Sequence, residues 1–255
     1  MSRLFYNLGR KVGPQVRKVK WIWRSMTAAE ADAIKIEHEV GRDLAHEVRS
    51  QLGRGRDPQV EQMLNDIGRE VAGCVANKLR VFSFETLEGA EPNAFALPGG
   101  FIFVTISLAD LCLRDRDELA FILAHEMAHV IRRHAINRII SNSAISAASR
   151  VAPIRGAVGG WLRTAGIRFL ESTYSQELES QADQLGVRLM AAAGYDPRAC
   201  VRLFRRLAKL KSAPEDFDRL GSYFASHPPF DVRIENINLQ LRKYRRQVPR
   251  SQAHS

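Results

Sequence analysis

The chain is 255 residues long and 45% hydrophobic, which is enough apolar content for a sizeable core in one large domain or two small ones and excludes a disordered chain. Its three cysteines, Cys74, Cys112 and Cys200, are widely spaced and form no CxxC pair, so a disulfide framework and a thiolate metal site are both excluded and the three read as buried thiols. The formal net charge of +10 sits at the two ends: residues 1–24 hold seven basic side chains and no acid, and five more follow from Arg242 onward, again with no acid, which leaves the middle near neutral.

Taken in chain order, the first 25 residues interleave those cations with Phe5, Tyr6, Trp21, Ile22 and Trp23. This pattern suits an anionic membrane surface, where each cation contributes about 1 kcal/mol and indoles sit at headgroup level. The alternative is a solvated helix docked on its own domain. No apolar run reaches the roughly 18 residues of a membrane span, and the start lacks the apolar block of a secretory signal. The expected location is therefore cytoplasmic, peripheral on the inner face of the membrane.

Thr27 to Glu30 has capping-box spacing and opens a helix predicted to about residue 52, ended by Gly53 and Gly55. Asp57 and Pro58 read as the cap and first position of a second helix, with Val60, Met63, Leu64, Ile67 and Val71 at helical spacing. The period then changes. Phe82, Phe84 and Thr86 alternate with polar neighbours, and residues 93–97 and 101–105 form two short apolar runs around Pro98-Gly99-Gly100, which predicts strands about a turn. A helix is predicted from about Asp117. Residues 141–170, rich in Ser, Ala and Gly, read as a crossover or lid that could cover a cleft. A further helix over 177–193 stops at Gly194, Asp196-Pro197 caps another, and Asp231 starts a last one that enters the basic tail. The expected class is α+β, mostly helical with a small sheet, divided as residues 1–25, 26–240 and 241–255.

The chemistry concentrates in LAFILAHEMAHVIRRH, residues 119–134. Residues four apart share a helix face, so His125 and His129 can aim ring nitrogens at one metal ion. Glu126 is rotated by about 100° and misses the ligand set, yet it can reach a water at that metal, the arrangement behind the HExxH motif of zinc peptidases. Catalytic zinc needs a third protein ligand. His134 comes five residues later without a glycine turn, so it reads as facing solvent or capping helix carbonyls rather than as a ligand. In YSQELESQADQLG, Glu179 and Asp183 are four apart on a predicted helix. Glu179 is the better third ligand because it pairs with an acid one turn later, and Glu177 competes, separated from it only by helix phase. Asp183 can accept the free N–H of a ligating imidazole.

HEMAHVIRRH, ELESQAD with its E-x-x-A-D core, NAFALPGGFIFVT before them and SHPPFDVRI after them resemble the zinc endopeptidase family that includes HtpX and the CAAX prenyl proteases. The resemblance implies a zincin-like, gluzincin-like peptidase domain with one zinc ion per chain, and the sequence departs from the membrane-embedded members by having no membrane-spanning helices. It maps the third ligand onto Glu179 and makes Glu126 the base. It further implies that Asn93, Ala94, Phe95 and Ala96 form an edge strand to which an extended or unfolded polypeptide adds, and that His227 stands near the metal as a transition-state donor or a switch. The local alternative for His227 is a loop residue held by Pro228 and Pro229. The function so implied is peptide-bond hydrolysis, with protein quality control at a membrane surface as its setting. The rivals are a degenerate peptidase fold serving as a binding scaffold and, from the basic ends, a nucleic-acid binder. The second lacks a recognition motif, so nucleic acid is not expected as a partner.

Overall fold

Helix α1 (Glu30–Leu52) opens the part of the chain that the structure, a computed structural model, describes: residues 30–89, 91–138, 174–211 and 230–247. The basic N-terminal segment, the 141–170 segment, His227 and the end of the basic tail lie outside it, as does Thr27 of the expected capping box. Helix α2 (Pro58–Gly73) starts where its cap dictates: the Asp57 carboxylate accepts from the N–H groups of Gln59 and Val60, and Pro58 takes the first helical position.

Strands β1 (Ser83–Leu87), β2 (Ala94–Leu97) and β3 (Phe101–Thr105) fall on the three predicted runs. Their arrangement was not legible in the runs themselves. The order is β1-β3-β2, with β1 parallel to β3 and β2 antiparallel to it, so β2 is an edge strand of the sheet. The Pro98–Gly100 turn between β2 and β3 lies hard against α1. A Cβ on Gly41 would stand 1.7 Å from the Pro98 carbonyl oxygen, so only glycine permits this approach. A short helix α3 (Ile106–Leu111), unexpected from the sequence, is capped by the Thr105 hydroxyl, which accepts from the Leu108 N–H.

Helix α4 (Arg116–Ile131) carries the histidines. Every residue from Glu118 to Val130 is buried, so α4 runs through the middle of the fold instead of lying on it with one apolar face. Helix α5 (Gln176–Ala192) makes its most extensive contact with α4 and ends before Gly194, whose φ of 90° is the expected left-handed stop. Helix α6 (Ala199–Lys211) packs on α4, and helix α7 (Phe230–Gln247) packs on both α5 and α6. The larger core joins α2 to α6 and the inner face of the sheet through Leu64, Ile67, Ile102, Leu123, Val187 and Phe204. A smaller one joins Leu44 and Val48 of α1 to Phe95, Leu97 and Phe103. Cys112 and Cys200 are buried as expected, whereas Cys74, at the end of α2, is only half-buried. Among the described residues no helix is long and apolar enough to cross a membrane.

Candidate metal centre

Burial of α4 places His125 and His129 in the interior at 2% and 0% exposure, where an imidazole needs a partner for each nitrogen. Helix α5 supplies the facing acids, and a small residue lets it come close. A Cβ on Gly186 would meet the main chain of His125 at 3.1 Å, so α4 and α5 touch almost backbone to backbone beside the site. Glu179, 1% exposed, then lies 3.6 Å from His125 Nε2 and 3.3 Å from His129 Nε2, and the two Nε2 atoms stand 3.1 Å apart. One ligand atom from each of the three residues falls within 4.8 Å of the others. Glu177, the competing acid, is exposed on the opposite phase of α5.

The outer nitrogens decide what these rings can do. His125 Nδ1 donates to Asp183 Oδ1 at 2.9 Å, and His129 Nδ1 stands 3.0 Å from His134 Nδ1. A neutral imidazole whose Nδ1 carries the proton presents a lone pair at Nε2. The two rings and the Glu179 carboxylate therefore point electron pairs at one buried spot, which suits a divalent cation with nitrogen and oxygen preferences. Burial disfavours a charged His125, but the hydrogen bond to Asp183 and the charges of Glu179 and Asp183 outweigh it and raise its pKa above the ordinary value. The acidic groups that favour a proton there also favour a bound cation.

Three of the surrounding groups, Arg233, Tyr174 and Arg138, were not anticipated. Arg233 of α7 reaches in from SHPPFDVRI; its Nε and Nη2 donate to Asp183 at 2.8 and 2.7 Å, and its Nη1 lies 3.0 Å from Glu179 Oε2. Burial opposes ionisation of Asp183, yet this guanidinium and His125 hold its carboxyl below the ordinary range. Tyr174 stacks on His129 with centroids 4.1 Å apart, and the Arg138 guanidinium sits 4.0 Å over the tyrosine ring. Arg233 lies inside a motif already visible in the sequence, but nothing local marks it as pointing at an acid fifty residues upstream. Glu126 is 3% exposed on α4 beside these groups.

His134 departs from expectation. It neither faces solvent nor caps carbonyls: it is 5% exposed and turned onto His129. The reason is that α4 does not continue past Ile131; Arg133 takes φ 61° and redirects the chain. The edge-strand residues are also only partly as expected. Asn93 precedes β2, and its main chain is already committed to Thr105, whose N–H donates to the Asn93 carbonyl at 2.9 Å.

A family model for peptidase family M48 matches residues 56–240. The chain is 28% identical over 210 residues to a mitochondrial metalloendopeptidase OMA1 of Schizosaccharomyces pombe, covering 80% of this chain and 61% of that one. With the OMA1 of Arabidopsis thaliana it shares 33% identity over 159 residues, 62% of this chain and 31% of that one. Against a beta-barrel assembly-enhancing protease of Escherichia coli the figures are 24% over 245 residues, 88% and 48%. The chain thus spans between about a third and three fifths of the length of these relatives.

Proposed function

Because the chain belongs to peptidase family M48, we propose that it is a zinc-dependent endopeptidase in which His125, His129 and Glu179 hold one zinc ion and Glu126 is the general base. The observation that carries this reading is the convergence of two imidazole nitrogens and a carboxylate, from helices distant in the chain, on one buried point. When bound, zinc supplies Lewis acidity, polarising a peptide carbonyl and acidifying water. Glu126 takes the proton of the attacking water and passes it to the leaving amine. Asp183 holds the proton on His125 Nδ1 and so keeps Nε2 free to ligate, while Arg233 keeps Asp183 ionised and pairs with Glu179.

The substrate class is an extended or unfolded polypeptide that adds to β2 as a further strand. Antiparallel pairing alternates, so with Asn93 bonded to Thr105 the main-chain groups of Ala94 and Ala96 turn away from β3. These two residues, rather than Asn93 and Phe95, are the ones that pair with substrate. They are 0% and 4% exposed, so pairing requires that edge to be uncovered first. His227 is kept as a donor to the transition state on the strength of the resemblance alone. Protein quality control at a membrane surface is the setting, supported by the basic, aromatic N-terminal segment and by relatives named as a mitochondrial endopeptidase and a protease that enhances β-barrel assembly.

The test is Glu126→Gln, assayed on an unfolded protein substrate beside metal analysis of the same preparations. Zinc content is expected to match wild type while cleavage falls by at least about 100-fold. An active Glu126→Gln protein removes the base from this mechanism. A wild type that carries no metal and cleaves nothing leaves a binding scaffold.

A further inference from the structure

His129 and His125 are supported on their outer sides by different chemistry. His125 has the Asp183 carboxylate; His129 has another imidazole, with Nδ1 to Nδ1 at 3.0 Å and the ring planes at 72°. Two imidazole nitrogens in contact, with no cation between them to take both lone pairs, need one donor and one acceptor. His129 turns its Nε2 to His125 and Glu179, so its proton belongs on Nδ1 and the accepting lone pair belongs to His134. That requires His134 to be neutral with its own proton on Nε2. The side chain of Gln181 on α5 is the other hydrogen-bond partner of the His134 ring.

The backbone is bent to make this contact. On a continuous helix residue 134 would stand about 140° around the axis from residue 129. Instead Arg133 adopts a left-handed φ of 61°, a conformation that costs a non-glycine residue about 1 kcal/mol. Arg133 is gripped from α1: its Nε donates to Glu37 Oε1 at 2.6 Å, while Glu37 Oε2 accepts from Arg80 at 3.1 Å and the whole carboxylate is 1% exposed. A strained turn held by a buried, doubly paired carboxylate on another helix is an unfavourable way to end a helix unless the next side chain, that of His134, has to be placed.

We propose that His134 is a positioning residue for the metal centre, accepting the Nδ1 proton of His129 and thereby fixing the tautomer and ring orientation that leave His129 Nε2 available to a metal ion. This rests on the metal-binding reading of His129. It makes the second imidazole depend on a neutral acceptor where the first depends on a charged one.

The experiment measures zinc affinity by competition with a chromophoric chelator, and the visible spectrum of the cobalt(II)-loaded protein, for the full chain and three variants. His134→Asn places an amide oxygen near the position of Nδ1 and retains the acceptor. His134→Gln carries its amide to the Gln181 side and leaves His129 without one, and His134→Leu removes both. Affinity is expected to fall between about 10-fold and 100-fold in the Gln and Leu variants with an altered cobalt spectrum, and to be largely recovered in the Asn variant. Because Asn and Gln are both polar fillers of one cavity, their comparison holds even where the Leu variant does not fold. Equal affinity in wild type and the folded Gln variant, or equal losses in Asn and Gln, would overturn the proposal. A wild type that binds no zinc overturns the metal-binding reading itself, and this inference with it.

Discussion

Five carboxylates are buried among the described residues, Glu37, Glu118, Glu126, Glu179 and Asp183, and their surroundings sort them by role. Glu37 and Asp183 are each met by guanidinium groups in good geometry, Glu37 by Arg80 and Arg133 and Asp183 twice by Arg233. Glu118 is less well provided. Arg206 donates to its Oε1 at 3.0 Å, but its Oε2 finds no hydrogen-bond partner among the described residues, and burial raises its pKa above the ordinary 4.5. A carboxyl with a raised folded-state pKa holds its proton longer in the folded than in the unfolded chain. Its contribution to stability is therefore greatest below its ordinary value and is lost as pH rises toward the folded value. Glu118→Gln should flatten that part of the profile, so that urea unfolding from about pH 4 to pH 7 shows the variant gaining on wild type as pH rises; a constant difference would count against it. The two acids of α5 that spacing alone could not separate are tested by metal content. Glu179→Ala should lose bound zinc and Glu177→Ala, whose side chain is exposed, should keep it.

The elements that build the site are governed by how closely they approach one another. Gly186 brings α5 onto the backbone of α4, and the left-handed turn at Arg133 sends the chain back toward His129. That turn offers a clean comparison. Arg133→Ala and Arg133→Gly both remove the ion pair with Glu37, but only glycine accepts the backbone conformation without penalty. Arg133→Gly is expected to be more stable than Arg133→Ala by about 1 kcal/mol, read as a difference in urea midpoint at unchanged slope. No difference, or the reverse order, would mean that the turn relaxes once the ion pair is gone. The helices themselves were legible because caps and apolar spacing are local: Asp57-Pro58 and Gly194 mark their ends in the sequence as they do in the fold. Helix α3 escaped notice because six residues are too few to display a period.

At the scale of the whole molecule, charge is segregated along the sequence: a near-neutral middle is flanked by basic ends. If the N-terminal segment seats the protein on a membrane surface, binding to vesicles with anionic lipid should exceed binding to zwitterionic vesicles and should fall as salt rises, and removal of residues 1–24 should abolish the difference. Equal binding to both vesicle types, or a preference for DNA, would remove the membrane from the proposed setting. The sequence by itself determined that one helix would carry His125 and His129 on a shared face with Glu126 rotated off it, because residues within two turns have their relative directions set by helix geometry. It also set Glu179 ahead of Glu177 as the facing acid, by its pairing with an acid one turn later and by the family resemblance. Only the tertiary structure buried Glu179 beside the two imidazoles and left Glu177 exposed, turned His134 inward and brought Arg233 to Asp183. Each of these depends on the phase at which one element meets another far along the chain, and that phase is set by the packing of the shared core, which no local stretch contains.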